Sequence, residues 1–245
     1  MDRPAPGTQD SAIEVRRLTK SFGDHFALKG LDLDVRRGES LAIFGPNGAG
    51  KTTLIKILAA IMNPSSGEVL IDGLSTKDST HKVQRRIGVV SHHTFLYANL
   101  TAYENLKFYS RMYDVPTVDE RIREVVEMVG MTSRLNDQVG TFSRGMQQRL
   151  SIARSLLHRP SIMLLDEPET GLDQQATSIL WKVMRPAGGE ERTIVFSTHS
   201  LERGWELADR FIVLNKGWIV FENTKHGLGQ DGLREAYQRT TGASV

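Results

Sequence analysis

The sequence predicts an α/β fold with a mostly parallel core sheet, and three observations carry that expectation. Short apolar runs alternate with helical stretches along most of the chain. One such run, SLAIF (Ser40 to Phe44), leads into a glycine-rich loop and then a helix. Another, IMLLD (Ile162 to Asp166), ends beside a second acid, Glu167, where a parallel strand would meet a ligand.

Residues 1–12 read as a disordered arm, polar and carrying two prolines and a glycine. From Ile13 the pattern is that of strands. IEVRRL alternates, and LKGLDLDV places Leu31, Leu33 and Val35 on one face. The helix that opens at Lys51 has Leu54, Ile55, Leu58 and Ala59 at helical spacing, and EVLID (68–72) and IGVV (87–90) return to strand. The middle, about 92–158, is helix-rich and reads as an inserted helical subdomain. Thr101 to Tyr113 and Val118 to Val129 are amphipathic, Thr101 with Glu104 forms a capping box, and a third helix spans about Gly145 to His158. TIVFS (193–197), FIVLN (211–215) and WIVFE (218–222) complete the strands. The main domain is thus 13–222, and 223–245 read as a short polar tail.

Composition narrows the function. The 245 residues are 39% hydrophobic and 24% charged, as in a globular protein. With no cysteine there is no disulfide, catalytic thiol or thiolate metal site. Thirty-one Lys and Arg against 29 Asp and Glu give a net charge of +2, too balanced to suggest nucleic-acid binding. No run approaches the ~18 apolar residues of a membrane-spanning helix. The N-terminus lacks a signal peptide's apolar core. The expectation is a cytoplasmic chain, held at a membrane only through a partner.

The segment Gly45-Pro46-Asn47-Gly48-Ala49-Gly50-Lys51-Thr52-Thr53 matches G-x-x-x-x-G-K-[ST] between a strand and a helix. Gly48 and Gly50 let the backbone curl its N–H groups toward phosphate oxygens, and the helix start adds its positive dipole end. Lys51 is expected to reach the β- and γ-phosphates of ATP, Thr52 to place its hydroxyl on Mg²⁺, and Thr53 to lie near the α-phosphate. Asp166 is the second expected Mg²⁺ ligand, through water. Glu167 is positioned to polarise an attacking water.

With these motifs in hand, residues 13–222 resemble the ATP-binding subunits of ABC transporters. The resemblance implies a P-loop ATPase domain with an antiparallel β subdomain beside the parallel sheet and the helical insert. It implies that Phe22, in LTKSFG, stacks on adenine. Phe142-Ser143-Arg144-Gly145-Met146-Gln147-Gln148-Arg149 looks like the family's signature motif, with Arg144 where glycine is preferred. DEPETGLD (166–173) ends at the acid of the family's D-loop, Asp173. His199, after TIVFS, matches the histidine that contacts the γ-phosphate. His92 aligns with a glutamine that touches Mg²⁺ and signals to the membrane partner, and adjacent His93 is a second candidate.

Ser143 and Gly145 precede a helix whose free N–H groups make a second anion site, which suggests that this site serves the ATP of another copy. The family arrangement implied is a dimer with ATP at its two-fold interface, working with integral membrane permease subunits. The aromatic and apolar side chains Phe95, Leu96, Tyr97, Phe108 and Tyr109 would dock on the permease, about half of them being core instead. Ser91 to Val115 is similar to the ATPase subunits of haem exporters acting in cytochrome c maturation. Drug- or polysaccharide-exporting ATPases share several of these features. Non-transport ABC ATPases, including those of iron–sulfur assembly, are the alternative class.

Overall fold

The computed structural model describes residues 10–170, 172, 174–184 and 192–242. These fall into two compact units: the described residues of 10–84, 164–167 and 193–242, and those of 85–163 and 168–192.

The first unit holds two sheets. The smaller is antiparallel, in the order β2-β1-β4-β5, from β1 (Ser11–Phe22), β2 (His25–Arg36), β4 (Ser66–Ile71) and β5 (Leu74–Ser75). Ser11 and Ala12, assigned from sequence to the arm, belong to β1, where Ala12 is buried. The larger sheet runs β10-β9-β3-β8, from β3 (Ser40–Phe44), β8 (Thr193–Ser197), β9 (Arg210–Asn215) and β10 (Trp218–Thr224), and continues into the Leu164–Asp166 end of β7 (Ile162–Asp166). Strand β3 is parallel to both β8 and β9, and β10 is antiparallel to β9. Every residue of β3 and β8 is buried, which explains why these strands are continuous apolar runs rather than alternating ones.

Phe44, Phe196 and Phe211 are the largest fully buried side chains of this core. A Cβ on Gly204 would overlap the ring of Phe44, so glycine lets α7 (Leu201–Leu207) approach β3 closely. Arg210 is sandwiched between Glu39 and Glu222, each at 2.6 Å, which ties the start of β9 to the neighbouring strands. The segment read as a polar tail is folded: after β10, helix α8 (Gln230–Thr241) buries Leu233 and Ala236. Only two core positions in twelve residues left its composition polar.

The second unit contains α2's successor strand β6 (Ile87–Val90), the start of β7, and the helices α3 (Ala102–Met112), α4 (Val118–Met128), α5 (Arg144–Leu156) and α6 (Gln174–Met184), where α2 itself (Thr80–Gln84) belongs to the first unit. It is wider than the predicted 92–158 insert because β6 packs both on α5 and against Met163 of β7. A Cβ on Gly88 would overlap the Ser155 carbonyl and the Met163 sulfur. The capping box forms: the Glu104 amide donates to Thr101 Oγ1 at 3.1 Å, and the Thr101 amide donates to Glu104 at 2.8 Å.

His158 stacks on Tyr113 with ring centroids 4.1 Å apart, and its Nε2 lies 3.0 Å from the Ile87 carbonyl. That contact places the proton on Nε2. Nδ1 is buried without a hydrogen-bond partner among the described residues. Burial lowers the imidazole pKa from 6.5 to about 4, and Arg154 and Arg121 add to the shift. Between these values the unfolded chain binds more protons than the folded one. Stability is therefore expected to fall as pH drops from 6.5 toward 4, and His158→Phe to flatten that slope in chemical denaturation.

Candidate active site

The phosphate loop lies between β3 and α1 (Lys51–Leu58), and its shape depends on glycine. Gly45, Gly48 and Gly50 all have left-handed φ values, 150°, 78° and 109°. A Cβ on Gly45 would also overlap the Leu214 carbonyl, and one on Gly50 the Ala27 carbonyl. Pro46 and Ala49 close the turn, the Ala49 amide donating to the Pro46 carbonyl at 3.1 Å, while Asn47 and Gly48 are exposed at its tip. Helix α1 has no side-chain cap, and its ladder starts with the Leu54 amide on the Gly50 carbonyl at 2.9 Å. The amides of Lys51, Thr52 and Thr53 thus stay outside the helical ladder, as an anion site requires.

Lys51 is 5% exposed. Its Nζ donates to the Gly45 carbonyl at 2.6 Å and the Pro46 carbonyl at 3.3 Å, and lies 3.9 Å from Glu167 Oε1. Burial pulls the ammonium pKa below its ordinary value, while Glu167 and then Asp166 push it back up. The charge is held where a phosphate can replace the loop carbonyls as its partner.

Asp166 is buried at the end of β7. Its Oδ1 accepts from the Ser197 hydroxyl at 2.8 Å and from Thr52 Oγ1 at 3.2 Å. Glu167 has a left-handed φ of 48°, unusual for a residue with a side chain, and its amide donates to Ser197 Oγ at 3.0 Å. This turn swings Glu167 out of line with the strand, where Oε1 meets His199 Nε2 at 2.6 Å. Lys51, Thr52, Asp166, Glu167 and His199 are therefore assembled at one place in the first unit, as the sequence suggested. Phe22 is half-exposed at the end of β1, with the Lys20 ammonium 5.1 Å from its ring.

Ser197 escaped the sequence reading. Its one hydroxyl ties the Asp166 carboxylate to the Glu167 backbone. The available signal was a small hydroxyl at the end of the buried run TIVFS, the same strand end from which His199 follows.

The remaining predicted residues lie in the second unit. Ser143 is the N-cap of α5, its Oγ accepting from the Met146 amide at 3.3 Å. Gly145 does not precede this helix, because α5 starts at Arg144 and places Gly145 in the first turn. A Cβ at Gly145 would meet no atom of the described residues within 4 Å. His92 and His93 are exposed on the loop after β6, their rings 4.1 Å apart. Gln148 of α5 holds the start of that loop, donating to the Ser91 carbonyl at 3.3 Å, and Arg154 of α5 donates to the Val89 carbonyl within β6 at 2.8 Å. Phe95, Tyr97, Phe108 and Met112 are exposed, whereas Tyr109 is buried and Leu96 half-buried. Asp173 lies outside the described residues.

Residues 28–170 match the family described as ABC transporter. The chain belongs to this family. It is 38% identical over 219 residues to the uncharacterized ABC transporter ATP-binding protein YdbJ of Bacillus subtilis (strain 168), a match covering 89% of this chain and 71% of the relative. It is 33% identical over 228 residues to the Nod factor export ATP-binding protein I of Ralstonia nicotianae, covering 92% and 71%. Among solved structures, the dimeric post-hydrolysis state of the ATP-binding cassette MJ0796 with ADP and Pi superposes with a TM-score of 0.80 at 29% identity, covering 87% of this chain and 98% of that one. The protein is an ABC ATPase that binds and hydrolyses ATP.

In this ABC ATPase, Ser197→Ala removes a hydrogen bond to a buried carboxylate and one from the Glu167 amide. Steady-state phosphate release should show kcat lowered about tenfold or more, with the Kd for ATP changed much less.

Proposed function

We propose that this chain is the motor subunit of an exporter, working as a dimer with ATP at its interface and driving a separate membrane permease. The observation that carries the catalytic part is the convergence of Lys51, Glu167 and His199 about Glu167 Oε1. Glu167 is the general base. Its carboxylate takes a proton from water as the water oxygen bonds to the γ-phosphorus, and the bond from that phosphorus to the β-phosphate oxygen breaks. Lys51 neutralises charge on the β- and γ-phosphates. His199 orients Glu167 and donates to a γ-phosphate oxygen. Phe22 offers a ring face to adenine.

Thr52 and Asp166 suit Mg²⁺. Both are hard oxygen donors 3.2 Å apart at the loop, and Mg²⁺ is held through one or two carboxylates plus water and substrate phosphates. No group of three or more His, Cys, Asp or Glu side chains among the described residues forms a metal cage of its own. When bound, the ion neutralises charge building up on the phosphates. The family resemblance assigns His92, or His93, the role usual for glutamine.

Three features support the dimer. Ser143 and Gly145 start a helix distinct from the phosphate-loop helix, giving a second anion site. No atom of the described residues lies within 4 Å of a Cβ built on Gly145, which suits close approach by a phosphate of the partner's ATP. The dimeric relative's structure is the third. The exposed Phe95, Tyr97, Phe108 and Met112 form an apolar surface suited to a permease. No helix among the described residues is long and apolar enough to cross a membrane, so in this reading the chain sits at the cytoplasmic face through that permease. Export rests on the relative named for Nod factor export. Haem export, as in cytochrome c maturation, is the narrower reading and rests on the resemblance of Ser91 to Val115, of Phe142 to Arg149 and of the compact C-terminus.

Glu167→Gln should retain MgATP binding, lose nearly all turnover and run as an ATP-dependent dimer in light scattering. A monomer under saturating MgATP would refute the shared-site arrangement. The same variant, used as bait in native membranes, should retain a multi-span protein. Recovery of none while the dimer forms would remove the transport reading and leave a non-transport ABC ATPase.

A further inference from the structure

We propose that α8 and the β9–β10 turn form a brace behind the phosphate loop, in which Asn215 is a positioning residue that sets how tightly the loop holds MgATP. This rests on Gly45–Thr53 being the ATP phosphate site.

The turn contacts the loop at two points. Strand β9 ends at Asn215 and pairs with Trp218, so only Lys216 and Gly217 form the connection. Both have left-handed φ, 50° and 85°, as a tight type I′ hairpin requires. The Gly217 amide donates to the Ala49 carbonyl at 3.1 Å, near the loop's end. At its start, the Leu214 carbonyl lies so close to Gly45 that a Cβ there would overlap it. On its other side Gly217 accepts from the Lys29 amide at 3.0 Å, so the turn is held between β2 and the loop.

Asn215 lies between these two contact points and joins them to the C-terminal helix. Its Nδ2 donates to the Thr240 carbonyl at 2.8 Å. Thr240 is in the last turn of α8, where helix carbonyls have no partner within the helix. The side chain therefore caps α8 from outside. Gly242, with φ 70°, closes the same end by donating its amide to the Gln238 carbonyl at 2.8 Å. Leu233, fully buried, and Ala236 anchor α8 to the unit.

A glycine-rich loop loses much conformational freedom when it closes on phosphates. A loop already held at Gly45 and Ala49 loses less, and the difference appears as affinity. The ordering of α8 thereby reaches the nucleotide through one amide.

Asn215→Asp keeps the size of the side chain but sets a carboxylate against the Thr240 carbonyl. By calorimetric titration, its Kd for MgATP should rise about three- to tenfold, with kcat at saturating ATP falling less. Coupling is reciprocal, so MgATP should slow hydrogen exchange of the α8 amides in the unaltered chain. If the Asp variant does not fold, Asn215→Ala and the exchange measurement carry the test. An unchanged Kd in a folded variant, or α8 exchange indifferent to MgATP, overturns the brace. Lys51→Ala separates the two ideas: equal MgATP binding by it and the unaltered chain would refute the phosphate site itself.

Discussion

The ammonium of Lys51 is a charge almost wholly withdrawn from water, and the surrounding geometry keeps it from being stranded. Desolvating such a group is costly unless protein dipoles replace its hydration. The loop supplies two carbonyls, and the sheet supplies the nearby Glu167 carboxylate. Each supplier imposes a condition. The carbonyls of Gly45 and Pro46 turn inward only because Gly45, Gly48 and Gly50 adopt left-handed conformations. The carboxylate arrives only because β7 ends beside β8, where Ser197 binds Asp166 and holds the Glu167 amide. The left-handed φ of Glu167 is the local cost of turning its side chain toward Lys51 and His199.

The second unit uses a different device. Its exposed loop after β6 is not tied into a sheet, so its backbone groups need other partners. Gln148 of α5 reaches the Ser91 carbonyl, Asn105 of α3 takes up the Tyr97 amide at 2.8 Å and the Tyr97 carbonyl at 3.0 Å, and Arg154 of α5 holds the Val89 carbonyl in the strand just before the loop. The Arg154 guanidinium also lies 5.3 Å from the Phe95 ring and 5.1 Å from Tyr109. These buried polar anchors let aromatic side chains stay exposed without the loop collapsing onto the core. They also link that loop to α5, the helix capped by Ser143.

Much of this was legible beforehand because the signals are local. A buried strand is an apolar run, a capping box is a four-residue pattern, and the phosphate loop is written in consecutive residues. Thr101 with Glu104, Gly45 to Thr53, and Asp166 with Glu167 all belong to that kind. The misreadings have physical reasons as well. Helix α8 passed for a tail because two buried side chains suffice to anchor it among ten polar or exposed neighbours. Gly145 was placed before its helix because Arg144, already helical, carries no local start signal that distinguishes it from a loop residue. Ser197 was passed over because its partners, Asp166 and the Glu167 amide, are some thirty positions away.

By itself the sequence determined the α/β class, the phosphate loop, the paired acids after β7 and the family, since each depends on residues within one element or one short spacing. The tertiary structure alone decided which hydroxyl joins the acids, that Lys51 rests on its own loop's carbonyls, and that Asn215 caps α8 while the adjoining turn touches the phosphate loop. The Ser197 contacts arise because β7 and β8 end side by side. Such neighbours are set by sheet order, and sheet order brings together residues that no sequence spacing connects.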